Sequence, residues 1–489
     1  MGVSRRMFLG TVGATMAAAR LPGALAAAEE AARPRRPRNV VFIFADDVGW
    51  GDLGCYGAAK IRTPHLDRIA REGIRFTDAH VAAPICSASR YALLTGEYVF
   101  RAARDPTFKR SIGVLGPTAP LAIRTDRPTL ASVMKQAGYA TGIVGKWHLG
   151  LGKPGAGPDY NGDLAPGPLE FGFDSFYGYA TTNDRTPCVY IEDRRVVGLD
   201  PKDPISLSQN APGATNVINN IRRHTWQAGG KAALWKDEDM AEVLTGKACG
   251  FIAQHKDRPF FLYFATHNIH HPVVPHPRFW GTSEAGPRGD FMHELDWSVG
   301  EVLAALDRLG LAEDTLVIFS SDNGGTIDNQ FRTPEWDRKY PADKEKDHPF
   351  NGPWRGGKGG PYEGGHREPF LVRWPRRVAG GKVSEALLST VDMTATFAAL
   401  TGQDLPADAA ADSLDAQAAL LGEGPGRAWL YSSGSIRQGP WKLIPAKKEL
   451  YNLADDPGET KNVLAEQKEI AARLQARMDG LLAGAKSRP

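Results

Sequence analysis

The sequence predicts an α/β fold, a mainly parallel sheet flanked by helices, with a smaller C-terminal α+β domain containing an antiparallel sheet. Three observations carry this. Short β-branched and aromatic runs recur along the chain and end in polar residues, amphipathic stretches of helical period separate them, and beyond a Gly/Pro break near residue 420 the runs shorten and follow one another directly. At 489 residues the chain exceeds what one core usually holds, so residues 39–420 are expected to form the large domain and 421–489 the small one.

The N-terminus reads separately. Ser4-Arg5-Arg6-Met7-Phe8-Leu9 is a twin-arginine pattern, followed by a small-residue apolar run interrupted by Arg20 and Pro22 and by "ALA" ahead of "AAEE". That run is too short and broken to span a membrane. Residues 1–28 are therefore expected to be a signal peptide for the twin-arginine (Tat) export machinery, placing the protein in the periplasm or outside the cell. Residues 29–38, with "RPRRPR", are a proline-stiffened linker. The formal net charge of +3 includes Arg5, Arg6 and Arg20, so the remainder is near neutral and a nucleic-acid partner is excluded.

The runs take the following order. "NVVFIFADDVGWGD" is a buried strand ending in Asp46-Asp47; "YATGIVGKWHLG" ends in Lys146 and His148; "PFFLYFATHNIHHP" ends in a histidine cluster; and "DTLVIFSSDNGG" ends in Asp322-Asn323. "EPFLVRWP" is a further strand. "TPHLDRIAREGIRF", "TLASVMKQAGY" and "MHELDWSVGEVLAALDRLG" are the intervening helices. The region 205–236 is polar with scattered aromatics and is expected to be a rim loop. "RAWLYSS", "WKLIP" and "ELYNL" predict the small sheet, and "KEIAARLQARMDGLLAGAK" a closing helix. Cys55, Cys86, Cys188 and Cys249 are widely spaced, without the spacing of a zinc site or a disulfide framework.

Polar residues just after several parallel strands meet at the sheet's carboxyl edge, where open α/β sheets bind ligands. Asp46, Asp47, Asp322 and Asn323 offer only oxygen donors, which suit Ca²⁺ or Mg²⁺. Arg90, Lys146, His148 and Lys358 supply the opposite charge, and a helix starting near Ser87 adds its N-terminal amides. These parts describe a pocket for a tetrahedral anion, with Cys86 at its floor.

At this point the residues resemble a family. "CSASRYALLTG" and "GYATGIVGKWHLG" resemble the two signatures of the type I, formylglycine-dependent sulfatases of the alkaline phosphatase superfamily, arylsulfatase-like members included. "FIFADDVGWGDLGCYG", "VIFSSDNGG", "RGGKGGPYEGGHREPFLVRWP" and "LYNLADDPGETKNV" resemble further landmarks in the family's order, from Asn39 to about Asn462. The resemblance implies an alkaline-phosphatase-like fold and a sulfuric ester hydrolase acting on an aryl or carbohydrate sulfate. It implies that Cys86 is oxidised to formylglycine by a formylglycine-generating or anaerobic sulfatase-maturing enzyme. The hydrated aldehyde then supplies the attacking oxygen, and its second hydroxyl drives sulfate out.

By the same resemblance Asp46, Asp47, Cys86, Asp322 and Asn323 bind the metal. Arg90 orients residue 86, Lys146 and Lys358 clamp sulfate, His148 is the base, and His270 stands beside the leaving group, with His267 the other candidate and His271 in the intervening position. Ala88 occupies a place where many members have proline, which bears on how fully Cys86 is converted. "FGFDSFYGYATTNDRTPCVYIEDRRVVGLDPKDPI" resembles a substrate-side insertion, with Asn183, Asp184 and Arg185, together with His366 and Arg367, as substrate contacts. Three other readings are a phosphate or phosphonate ester hydrolase of the same superfamily, a non-catalytic binder of sulfated glycans if Cys86 is unmodified, and a thiol-nucleophile enzyme.

Overall fold

The computed structural model describes residues 1–2, 36–105, 112–326, 348–432 and 434–488. All but the first two residues of the expected signal peptide, and most of the linker, lie outside these residues. From Arg36 onward the chain forms one compact unit. Among the described residues no helix is long and apolar enough to cross a membrane.

A ten-stranded sheet runs through the unit. Its strands are β1 (Asn39–Ala45), β2 (Ile74–Phe76), β3 (Ala140–Lys146), β4 (Ser175–Tyr179), β5 (Ile191–Glu192), β6 (Arg195–Val196), β7 (Phe260–Ala265), β8 (Thr315–Ser321), β9 (Phe370–Arg373) and β10 (Lys382–Ser384). They lie in the order β10-β2-β9-β8-β1-β7-β3-β4-β5-β6. The five central strands, β8-β1-β7-β3-β4, are parallel, so their carboxyl ends share one edge. β9, the "EPFLVRWP" strand, pairs antiparallel with β8.

The central strands read as unbroken apolar runs because both sheet faces are covered. On β1, Val40, Phe42 and Phe44 enter one apolar cluster while Val41, Ile43 and Ala45 enter another. Phe42 sits opposite Tyr263 of β7 and Ile318 of β8. The first face is covered by α2 (Cys86–Thr95), α3 (Leu130–Gln136) and α6 (Met393–Thr401), through residues such as Leu93, Met134 and Phe397. The second is covered by α1 (Pro64–Arg71), α4 (Met240–Gln254) and α5 (Gly286–Arg308), through Leu66, Phe251 and Leu295.

Strands β11 (Trp429–Ser432), β12 (Ser435–Gln438), β13 (Trp441–Ile444) and β14 (Glu449–Asn452) form a separate antiparallel sheet in sequence order. Ile436, Leu443 and Leu450 share an apolar cluster with Leu474 and Met478 of α7 (Lys468–Ala483) and with Ala92 of α2. The β12 strand, "SIRQ", has no apolar alternation to announce it. The region 205–236, expected as a loop, contains a hairpin of Thr215–Ile218 and Ile221–Gln227.

Ahead of β11, buried Arg427 donates to both carboxylate oxygens of buried Asp392 at 2.6 and 2.9 Å and to the Tyr98 hydroxyl at 3.0 Å. Removing one partner of a buried pair strands the other charge and costs about 3–5 kcal/mol. Arg427→Met is therefore expected to lower the urea midpoint by the equivalent of that loss. An unchanged midpoint would show that the pair does not tie the two sheets together.

Candidate active site

The functional side chains stand where the parallel strands end. Asp46 and Asp47 follow β1, Asp322 and Asn323 follow β8, Lys146 closes β3 with His148 two residues on, and His270 lies in the turn after β7. Cys86 is the first residue of α2, and Arg90 lies one turn further. All ten positions except Lys358, which comes from a glycine-rich loop ahead of β9, are thus set by regular elements, and all ten are mutually close or share partners.

Two of these residues adopt left-handed backbone, Asp47 at φ 62° and His148 at φ 58°. Such conformations cost on the order of 1–3 kcal/mol in non-glycine residues and persist where surrounding structure over-determines them. Here the Val48 amide donates to Ser321 Oγ at 3.0 Å, and the His148 amide donates to the Ala180 carbonyl at 3.0 Å.

Three buried carboxylates meet three basic side chains, of which Arg90 and Lys146 are buried and Lys358 is partly buried. Lys146 Nζ donates to Asp46 Oδ2 at 2.5 Å and lies 3.8 Å from Asp322 Oδ2. Arg90 grips Asp322 Oδ2 through Nε at 3.0 Å and Nη2 at 2.8 Å, while its Nη1 reaches the Tyr263 hydroxyl at 3.4 Å. Lys358 Nζ donates to Asp47 Oδ1 at 2.6 Å, and Asn323 Nδ2 donates to the same oxygen at 2.7 Å. Cys86 Sγ is 3.7 Å from Asp46 Oδ1. One ligand atom each from Asp46, Asp47, Cys86 and His270 falls within 4.8 Å of the others.

The electrostatics follow from burial and these pairings. Burial raises the Asp46 carboxyl, Asp322 adds to the rise, and Lys146 only partly offsets them. Burial also opposes charge on Asp47, but Lys358 and Asn323 outweigh it and hold that carboxyl low. Burial pushes the Cys86 thiol up to about 12 despite Lys146 and Lys358, so as a cysteine it is an uncharged, weak nucleophile. The Lys358 ammonium is held well above its ordinary value, Asp47 overcoming burial.

The proton positions on the two histidines follow from their partners. His148 Nε2 lies 3.0 Å from the Leu115 carbonyl, which can only accept, so Nε2 carries the proton. His148 Nδ1 is buried without a partner among the described residues. Burial, then Lys146, Arg185 and Arg90, hold the ring well below its ordinary value and therefore neutral. Nδ1 is a lone pair waiting for a proton. His270 Nδ1 donates to the His271 carbonyl at 2.6 Å, leaving Nε2 facing Asp47 Oδ2 at 3.9 Å. His267 is buried against Phe291, 5.4 Å between ring centroids, and takes no part in this cluster.

Two buried oxygens, Asp47 Oδ2 and Asn323 Oδ1, have no hydrogen-bond partner among the described residues. A buried unpaired carboxylate oxygen beside an unpaired amide oxygen fits a hard cation. α2 starts beside these carboxylates, with Cys86 Sγ against Asp46 and no side-chain cap over its first amides, the arrangement in which a helix N-terminus favours an anion. Ser87 Oγ accepts from the Leu115 amide at 3.2 Å, so the same helix turn fixes the carbonyl that orients His148.

The substrate-side residues separate into two places. Asn183, Asp184 and Arg185 lie beside the site. Asn183 Nδ2 donates to the His270 carbonyl at 3.4 Å, and Asp184 Oδ2 meets His271 Nε2 at 2.9 Å and His224 Nε2 at 3.3 Å. Arg185 Nη1 donates to Asp184 Oδ1 at 2.8 Å. The hairpin in region 205–236 holds this segment, with Arg223 donating to the Asn183 carbonyl and the His224 amide donating to the Asp184 carbonyl at 2.9 Å. His366 and Arg367 lie elsewhere, in a buried ion network facing the C-terminal sheet. Lys442 Nζ is 3.1 Å from His366 Nε2, and Arg367 Nη1 donates to Glu363 Oε2 at 2.9 Å.

Residues the sequence did not point to include His224, which comes from the hairpin, and Arg288 of α5. Arg288 donates to the Asp47 carbonyl at 3.1 Å while pairing with both oxygens of Asp52, of which Oδ1 also meets His348 at 2.8 Å. No spacing signal joins these positions, which are brought together only by the chain's return to the sheet edge.

A carboxylate-rich cation site opposed by two lysines, an arginine and a helix N-terminus defines a hydrolase of anionic esters assisted by a metal. The profile of the sulfatase family matches residues 38–403. The chain is 41% identical to the N-acetylgalactosamine-6-O-sulfatase of Bacteroides thetaiotaomicron, covering 91% of this chain and 93% of that one. It is 37% identical to human arylsulfatase A, covering 80% and 69%. A solved "6S-sulf" structure, from a Bacteroides thetaiotaomicron locus for metabolism of multiple glycosaminoglycans, superimposes with a TM-score of 0.84 at 39% identity, covering 92% and 100%. The chain belongs to the sulfatase family and is an enzyme that hydrolyses sulfate esters.

Asp47→Asn keeps the volume of the side chain and removes its charge. It is expected to lower the divalent metal content of the purified protein and to cut turnover by more than the roughly 10–100-fold typical of residues outside the ligand set. Elemental analysis showing full metal content with full turnover would contradict the assignment.

Proposed function

We propose that the enzyme removes a 6-O-sulfate from N-acetylgalactosamine or a close relative within a sulfated glycan, using Cys86 as formylglycine and Ca²⁺, or Mg²⁺, as the cation. The observation that carries the substrate class is the polar cluster of Asp184, Arg185, His224 and His271 beside His270, in a chain so similar to an N-acetylgalactosamine-6-O-sulfatase. A small aryl ester would give these groups nothing to bond. A sugar offers hydroxyls to both the carboxylate and the imidazoles.

Asp46, Asp47, Asp322 and Asn323, with residue 86, would hold the cation, which supplies charge stabilisation and lowers the pKa of an oxygen bound to it. Formylglycine supplies an aldehyde hydrate as the oxygen nucleophile. The chain's own groups do the rest. Lys146 and Lys358 draw sulfate oxygens toward the first amides of α2. Arg90, already locked on Asp322, orients residue 86. His148 takes up a proton at Nδ1, its bare ring nitrogen, while Nε2 stays bonded to the Leu115 carbonyl. Lys358 stays protonated and stabilises the oxygen of the departing sugar, with His270 beside it.

Hydrolysis should be fastest for 6-O-sulfated N-acetylgalactosamine, slower for an aryl sulfate, and negligible for the matching phosphate esters. Phosphate release exceeding sulfate release would favour the phosphate or phosphonate reading instead. Asp184→Asn should cost the sugar substrate about 10–100-fold in kcat/KM, because a site built around hydrogen bonds discriminates strongly when they are lost. The aryl sulfate should change little. Equal losses on both substrates would remove Asp184 from sugar recognition.

We also propose export through the twin-arginine route, after conversion of Cys86 by a maturing enzyme in the cytoplasm, since Cys86 is only 1% exposed once folded. Active protein confined to the cytoplasm of its native host would contradict this.

A further inference from the structure

The loop that carries Lys358 has little stiffness of its own. Its sequence, "RGGKGGP", places two glycines on each side of the lysine. Gly356 and Gly359 adopt φ of 76° and 81°, which favours glycine and leaves the segment entropically costly to hold in one shape. Near the lysine it is pinned by backbone contacts, Lys358 N to Gly325 O at 3.3 Å and Gly359 N to Pro84 O at 2.8 Å.

Both ends of this loop are gripped by one face of the C-terminal sheet. Lys442 sits opposite Tyr451 and Ile444 opposite Glu449, so these four side chains share the face turned away from Leu443 and Leu450. At the loop's start, Arg355 Nη1 donates to the Tyr451 hydroxyl at 3.1 Å and to the Glu459 carbonyl at 2.6 Å. At its end, the Tyr362 hydroxyl meets Glu449 Oε2 at 3.0 Å, and the Tyr362 ring packs on Ile444, Tyr451 and Leu453. Arg355 lies over that ring at 3.9 Å, closing the loop on itself. The next residue, Glu363, donates its amide to Glu459 Oε2 at 2.7 Å and accepts from Lys442 Nζ at 3.0 Å. Lys442, Glu363 and Glu459 are all buried.

From Lys442 the network continues with one hydrogen direction. Lys442 can only donate, so His366 Nε2 accepts at 3.1 Å. His366 Nδ1 then carries the proton toward His80 Nδ1 at 3.0 Å, and His80 Nε2 donates to Asp78 Oδ1 at 2.7 Å. Arg437, on the same sheet face as Lys442, donates to both oxygens of Asp78 at 2.7 and 2.8 Å. A buried hydrogen-bonded network of this kind rigidifies what it touches.

We propose that Lys442 and Tyr451 of the C-terminal sheet are positioning residues for catalysis, holding the glycine-rich loop so that Lys358 meets the sulfate in one geometry. This rests on Lys358 being a sulfate ligand, and the test separates the two ideas. Displacing a catalytic group by about 1 Å costs on the order of 100-fold in rate. Lys442→Met should accordingly lower kcat/KM by about 10–100-fold.

The decisive measurement is a double-mutant cycle with Lys358→Ala on an aryl sulfate. In the Lys358→Ala background the further loss from Lys442→Met should shrink to less than about twofold, because the group being positioned is gone. Arg427→Met, which weakens the attachment of the same sheet from another place, should show no such coupling.

Should Lys442→Met fail to fold, Tyr451→Phe keeps the ring, removes only the hydroxyl that accepts from Arg355, and is read in the same cycle. Equal fold losses in both backgrounds, or a folded variant with no loss, would overturn the proposal. If Lys358→Ala alone is silent, the assignment of Lys358 to sulfate falls and this proposal falls with it. A large loss from Lys358→Ala with an additive cycle would remove only the positioning role.

Discussion

The site depends on one constraint: three buried carboxylates lie within a few ångströms of three basic side chains, Arg90 and Lys146 buried and Lys358 partly so. Charges of this kind are tolerated out of water only when each has a partner. The pairing is complete for Asp46 with Lys146, Asp47 with Lys358, and Asp322 with Arg90. The cluster is thus close to neutral by itself. A divalent cation would make it positive, which suits an anionic ester as visitor and inorganic sulfate as product.

Much of the surrounding fold can be understood as serving that cluster. Parallel pairing of β8, β1, β7 and β3 brings their carboxyl ends to one edge, and apolar cover on both faces makes that arrangement stable. Left-handed backbone at Asp47 and His148 turns each side chain back into the pocket, at a local cost offset by bonds to Ser321 and Ala180. The hairpin and the C-terminal sheet, both remote in sequence, act on the cluster's periphery. One holds the segment of Asn183 and Asp184 beside His270, and the other bonds to both ends of the loop that carries Lys358.

The central fold and the ionic heart of the site were legible in the sequence for a physical reason. A strand buried on both faces must be almost wholly apolar, so the change to Asp46-Asp47 or Asp322-Asn323 at its end is abrupt and local. Cys86 and Arg90 lie one helical turn apart, which is again a short-range signal. His366 and Arg367 were expected near substrate because their motif adjoins Lys358. Their partners Lys442, Glu363 and Asp78 are set by tertiary packing, which no local spacing displays. The hairpin at 215–227 escaped for a similar reason, since its alternation is weak and its stability comes from pinning Asn183–Thr186 rather than from a core of its own.

On the proposed mechanism the pocket is built around a converted residue 86 and not around a thiol. Mass spectrometry of the peptide containing residue 86, from active enzyme purified from its native host, tests this most directly. Conversion predicts a peptide lighter than the cysteine form by about 18 mass units, through loss of one sulfur and two hydrogens and gain of one oxygen, with specific activity rising in proportion to the converted fraction. A fully active enzyme whose residue 86 is entirely an intact cysteine would contradict it.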